Sequence, residues 1–335
     1  MDIIKKILLA LVKVLILACL GLFIIGVIFK VTFGNQDFIK QSLNNSGLYS
    51  TVEKGIKQQI ATQVASVSNT TTLNTIISQA IDKSVTSDLI QQNIESTISN
   101  AYAWLSGENT NLVISYNVDD AQATFLQEVT DGLRERAKTL PKCSRKIRPT
   151  TNDIFTINCI PPGTNIEGEI LEAQQQFNQQ IATQPQKVDL TKITNNSSSP
   201  INRLPNVYKI LTLLPLISIL LIVLLLIFEL LLSRPRYRAL RTVGIASILC
   251  GVLCLICRFI TPIILYERIK HISLNTDVAD FSLPVQKIFQ DIVSQISSTL
   301  LTIGVSLIAL GCLCLGFYIF IKKTNTRNEL PKNIP

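Results

Sequence analysis

The sequence predicts a mainly α fold: four transmembrane helices plus a mostly helical extracytoplasmic domain inserted between helices 1 and 2. Three observations predict it. Four apolar runs are each near or above the roughly 20 residues a helix needs to cross the hydrocarbon. Basic residues crowd the ends of these runs in a pattern that sets one direction of insertion. The long segment between the first two runs repeats its apolar residues at helical spacing.

The runs are Ile7–Phe29, Ile210–Leu232, Val243–Leu265 and Thr299–Ile321. No small-x-small cleavage site follows the first, so it reads as a span rather than a signal peptide. Only 16% of the 335 residues are charged, against about 25% in soluble domains. The net charge of +8 could point to nucleic acid. Its distribution excludes that, because residues 34–207 hold 14 basic and 16 acidic residues. The excess flanks the apolar runs, as membrane orientation requires.

Lys5 and Lys6 precede the first run, Arg234, Arg236, Arg238 and Arg241 separate the second from the third, and Lys322 and Lys323 follow the fourth. Under the positive-inside rule these topology determinants are cytoplasmic. The expected organisation is a cytoplasmic N-terminus with helix 1 (1–33), an extracytoplasmic helical domain (34–207) and helices 2 and 3 around a basic turn (208–266). A second extracytoplasmic loop with a helical extension (267–294), helix 4 (295–321) and a cytoplasmic tail (322–335) complete it. Both termini are then cytoplasmic in a multi-pass cell-membrane protein whose first partner is the lipid bilayer. Pro284 suits a first helical turn, and Val285, Ile288, Phe289, Ile292, Val293 and Ile296 follow at helical spacing. A helix from Pro284 to Ile321 would be about 57 Å long. Its surplus is expected to pack on the large domain.

Within 34–207, four stripes predict helices. They are Val52, Ile56, Ile60, Val64, Val67; then Ile90, Ile94, Ile98, Ala101, Leu105; then Phe125, Val129, Leu133, Ala137, Leu140; then Ile166, Ile170, Phe177, Ile181. Ser87 is the cap expected for the second, and Asp119 and Asp120 for the third. A shorter pattern runs Leu73, Ile76, Ile77, Ala80, Ile81, and Leu112–Val118 reads as a strand. Asn44, Asn69, Asn195 and Asn196 open Asn-x-Ser/Thr sites, which an Asn-rich chain also produces by chance.

Six cysteines lie in apolar runs, while Cys143 and Cys159 stand alone in the outer segment. An isolated pair on an oxidising face reads as a disulfide. Lys138, Lys142, Arg145, Lys146 and Arg148 surround Cys143 and read as a solvated basic loop or a contact for anionic polymer or headgroups.

NQDFIKQSLNNSGLYSTV after the first run, AWLSG at 103–107, LPKC at 140–143 and CIPPG at 159–163 carry a resemblance. With the four-run layout, the chain resembles uncharacterised four-pass membrane proteins of several bacterial phyla. The resemblance implies a bacterial cytoplasmic membrane and a large outer helical loop with a Cys pair. It implies no activity.

Catalytic chemistry has little support in the sequence. The sole histidine, His271, has no Cys or carboxylate at ligand spacing, so no metal or cofactor is expected. No phosphate-binding glycine loop or nucleophile elbow is present. Arg258 and Glu229 are candidate intramembrane functional residues, because buried ionisable groups in lipid are expensive. Helical rise separates them by something over 10 Å along the membrane normal. Glu229 is therefore expected to meet the Arg234–Arg241 cluster and Arg258 to snorkel outward. Cys254 and Cys257 form a C-x-x-C that, with Cys143 and Cys159, resembles quinone-linked thiol oxidases. Cys250 extends the series at i, i+4, i+7, which instead fits helix packing, as do Ser247 with Gly251 and Cys312 with Gly316. The leading expectation is a non-enzymatic surface scaffold or interaction protein acting on a protein or envelope partner through residues 34–207. The alternatives are the thiol oxidase and a transporter or channel component using Arg258.

Overall fold

A computed structural model describes residues 2–67, 71–143, 159–163, 165–182, 187–189, 200–232, 237–273 and 279–328. These residues are mainly α-helical. The helices are α1 (Asp2–Val31), α2 (Gln36–Ser46), α3 (Leu48–Val67), α4 (Thr71–Ser84), α5 (Ser87–Ser106), α6 (Asp119–Thr139), α7 (Ile166–Ala182), α8 (Leu204–Leu232), α9 (Tyr237–Ser273) and α10 (Ala279–Asn328). Strand β1 (Val113–Ser115) pairs antiparallel with β2 (Lys187–Asp189), placing Ile114 opposite Val188. The chain divides into two compact units: residues 1–46 with 105–107 and 200–335, and residues 47–104 with 108–199.

The first unit holds four helices long and apolar enough to cross a membrane, over Ile7–Val31, Ile201–Leu231, Ala239–Ile264 and Phe281–Thr324. The chain is a multi-pass membrane protein. Its spans run alternately up and down. Gly26, late in α1, lies against Pro215, early in α8, where a methyl on the glycine would stand 2.8 Å from the proline ring. Val12, Ile16, Cys19 and Leu20 form a core with Leu225 and Cys250. The α9–α10 pair meets backbone to backbone. A methyl on Gly251 would stand 2.8 Å from the Gly304 carbonyl oxygen, and one on Gly244 would stand 3.0 Å from that of Gly311. Lipid tails give apolar helices little reason to associate, and residues without side chains let dispersion and backbone contact act at short range.

Helix α10 has 50 residues. At 1.5 Å per residue it is about 75 Å long, more than twice a hydrocarbon thickness of roughly 30 Å. It begins before Pro284, which lies inside the helix. The surplus packs against α2, within the same compact unit. Asn35 caps α2, its Oδ1 accepting from the Asp37 and Phe38 amides at 3.0 and 3.3 Å. The region expected as a second loop is mostly helical, because α9 continues to Ser273 and α10 starts at Ala279.

The second unit packs α4 against α3 and α6, and α6 against α7. Ile76, Leu133 and Ile170 form its core, flanked by Val129, Leu140 and Ile166. The shorter pattern therefore supplies the core helix, with Ile76, Ala80 and Ile81 all buried. The longer α3 stripe is only half-covered at Val52 and Ile60 and exposed at Ile56. None of the expected residues is the cap; Val118 takes that position at α6 without a side-chain bond. Thr86 Oγ1, not Ser87, accepts the Leu89 amide at 3.3 Å. At α6, Asn117 Oδ1 accepts the Asp119 amide at 3.0 Å. Asp119 and Asp120 occupy the first turn instead, where their charge favours the helix dipole.

Candidate functional site

The turn after α6 leads into Cys143. Two backbone hydrogen bonds clip its flanks to the segment around Cys159: Cys143 N–H to the Ile160 oxygen and Ile160 N–H to the Pro141 oxygen, both 2.9 Å. The structure joins Cys143 to Cys159 with 5.0 Å between Cα atoms, inside the range a disulfide bridges. The link ties the end of α6 to the segment entering α7. Arg145, Lys146 and Arg148 of the basic loop lie outside the described residues.

An open polar cleft of about 510 Å³ runs along α6, with Gln174 of α7 on its other side. Asp119, Gln122, Gln127, Asp131 and Arg134 of α6 line it, with Gln174 of α7. Its floor includes Leu126 and Thr130, both buried. Arg134 is held in place at the rim: Nη1 donates to Asp131 Oδ1 at 3.2 Å, and Nε to Glu167 Oε1 at 3.0 Å. Amide, carboxylate and guanidinium groups over an apolar floor can receive a polar, hydrogen-bonding ligand segment. None of these residues stands out as a site in the sequence. The available signal was the polar face of α6, and a polar helix face most often faces water.

The intramembrane residues separate in character. Glu229 on α8 is 1% exposed. It accepts a hydrogen bond from Thr242 of α9 and feels the charge of Lys13 of α1. Its Oε2 has no hydrogen-bond partner among the described residues. Of the arginine cluster expected to meet it, Arg234 and Arg236 lie outside the described residues, and Arg238 is described in backbone only. Arg258 is half-buried and stacks its guanidinium 5.9 Å from the Phe259 ring. No carboxylate pairs with it among the described residues. Cys250 and Cys254 are buried. A methyl on Gly304 would stand 3.3 Å from the Cys254 Cβ, so the thiol-bearing face is a packed one. Ser247 is buried and Gly251 is in close contact, whereas Cys312 is exposed and Gly316 has open space around it.

Because the spans alternate, Lys5, Lys6, Arg241, Lys322 and Lys323 come to one end of the helix bundle. Arg241, Lys322 and Lys323 are exposed there, while Lys5 and Lys6 are described in backbone only. His271 is likewise described in backbone only, on α9. No protein-family model matches the chain, and no curated protein or solved structure shows significant similarity to it.

Proposed function

We propose that this protein is a membrane-anchored interaction protein that acts by binding rather than catalysis. Its helical unit is displayed on the extracytoplasmic face, and the cleft between α6 and α7 receives a polar segment of a protein or envelope polymer. The cleft carries the reading: a concave surface lined by Asp119, Gln122, Gln127, Asp131, Arg134 and Gln174, on a unit tied by Cys143–Cys159. The collection of basic residues at one end of the bundle supports a cytoplasmic location for that end. The cysteine pair supports an oxidising compartment for the helical unit. Cys254, packed against α10, supports a structural role for the C-x-x-C.

The test has two arms in intact cells. A membrane-impermeant maleimide should label Cys143 and Cys159 only after reduction, and labelling without reduction or none at all removes the orientation. A photoreactive residue at Gln127 should give a discrete adduct. That adduct should be lost when Gln174→Trp fills the cleft and kept when exposed Gln58 is changed instead. Equal adducts in both variants would end the binding reading.

A further inference from the structure

The bundle carries a second concavity, of about 570 Å³, between α1 and α9 at the end where the cations gather. Lys13, Val14 and Leu17 of α1 line it, with Arg241, Ile245 and Leu249 of α9. We propose that this groove is a binding site for one anionic phospholipid, its phosphate held between Lys13 and Arg241 and an acyl chain laid along the aliphatic side chains.

Spacing along the helices supports this. Arg241, Ile245 and Leu249 are four residues apart in succession, so they stand in one row on α9. Lys13 with Val14 and Leu17 repeats the order on α1, which runs parallel to α9. Each helix therefore presents a cation at the bundle end and aliphatic carbon deeper in. From Arg241 to Leu249 the row spans about 12 Å by helical rise, the depth of the first part of an acyl chain. Val14 and Leu249 remain 67% and 55% exposed. At their depth the surrounding solvent is lipid, so the groove opens on its proposed occupant.

Charge selects the headgroup. Glu229 lies behind the groove wall, bonded to Thr242 and acting on Lys13. The lining itself holds two cations, Lys13 and Arg241, and no carboxylate, so the mouth is positively charged. A headgroup of net charge −1, such as phosphatidylglycerol, matches it, and a zwitterionic one does not. Basic pockets between transmembrane helices bind anionic headgroups by this logic.

The experiment uses the full-length protein in a mild uncharged detergent, titrated with phosphatidylglycerol and with phosphatidylcholine of the same acyl chains, bound lipid being counted by native mass spectrometry. One phosphatidylglycerol should bind more tightly than any phosphatidylcholine. Each cation near the surface accounts for about a fivefold change, so Lys13→Gln with Arg241→Gln should weaken binding about 25-fold. Lys322→Gln with Lys323→Gln, at the same end but outside the groove, should leave it unchanged. Leu249→Trp, at an exposed position that tolerates bulk, should block binding without touching a charge, and it decides the matter if the double variant fails to fold. Equal binding of the two lipids, retention in Leu249→Trp or an equal loss in the Lys322/Lys323 control would overturn the proposal. Displacement by inorganic phosphate would overturn the assignment to lipid.

Discussion

A methyl group on Gly311 would stand 2.7 Å from the Gly244 carbonyl oxygen, backbone against backbone. A methyl on Gly132 would stand 2.8 Å from Cγ2 of Ile76, the end of a side chain. The first contact joins α9 to α10 in the membrane-spanning unit, and the second joins α6 to α4 in the helical unit. Removing apolar surface from water rewards side-chain burial directly. In lipid that reward is absent, and helices gain by approaching until main-chain atoms touch. The same element type is thus held by two different forces, and substitutions should separate them.

The largest effect is expected at the backbone contact. Gly311→Leu places its Cβ and the rest of the side chain where neither main chain can yield, and overpacking of this kind costs about 3 kcal/mol. Thermal unfolding in detergent should show it, with loss of folded yield. Gly21 faces open space, so Gly21→Ala should be neutral or stabilise by up to about 1 kcal/mol through helix propensity. If the two variants behaved alike, close backbone approach would not be what holds α9 to α10.

Next comes the disulfide. Cys143 and Cys159 are 16 residues apart, and closing a ring of about that size stabilises by about 3 kcal/mol in the chain-entropy model. Cys143→Ser with Cys159→Ser should raise amide exchange at the end of α6 and the start of α7. The α9–α10 pair should keep its protection. Equal loss in both places would mean that the two units do not melt by separate means.

These contacts were unequally legible in the sequence. Runs such as Ile210–Leu232 declare themselves because hydrocarbon thickness sets a minimum length. The Gly244/Gly251 and Gly304/Gly311 partnership does not, since glycine spacing on one helix says nothing about which helix faces it. Glu229 was visible as an intramembrane acid, but its partner Thr242 was not, because a threonine in an apolar run raises no signal. Strand β2 is illegible in the sequence for a related reason. Lys187–Asp189 is three residues long with one apolar side chain, and its pairing with β1 is a long-range event. The cleft reads in the sequence only as a polar stripe on α6, because Gln174 of α7 comes to face it through tertiary packing. The stripes placed α3 to α7, yet the best-buried helix, α4, had the shortest pattern, because burial follows the neighbours an element finds.

The smallest effect at neutral pH is expected at Tyr49, a buried residue at the start of α3. Burial and the nearby Glu95 carboxylate, which accepts from its hydroxyl at 3.5 Å, push the Tyr49 phenol up to about 12. The folded chain therefore holds this proton more tightly than the unfolded chain, where the phenol titrates near 10. A raised acid contributes its stability below the unfolded value and loses it as pH climbs through the folded one. The stability should thus be fully present at pH 7 to 9 and fall between about 10 and 12. Tyr49→Phe should lose about 0.5 kcal/mol at neutral pH, the value of one long hydrogen bond, and should flatten that alkaline fall. The spans offer a built-in control, since their packing depends on shape at Gly244, Gly251, Gly304 and Gly311 and not on this proton. Helicity followed against pH in parent and variant should differ only in the alkaline limb. An unchanged alkaline limb would show that Tyr49 does not couple protonation to the packing of the helical unit.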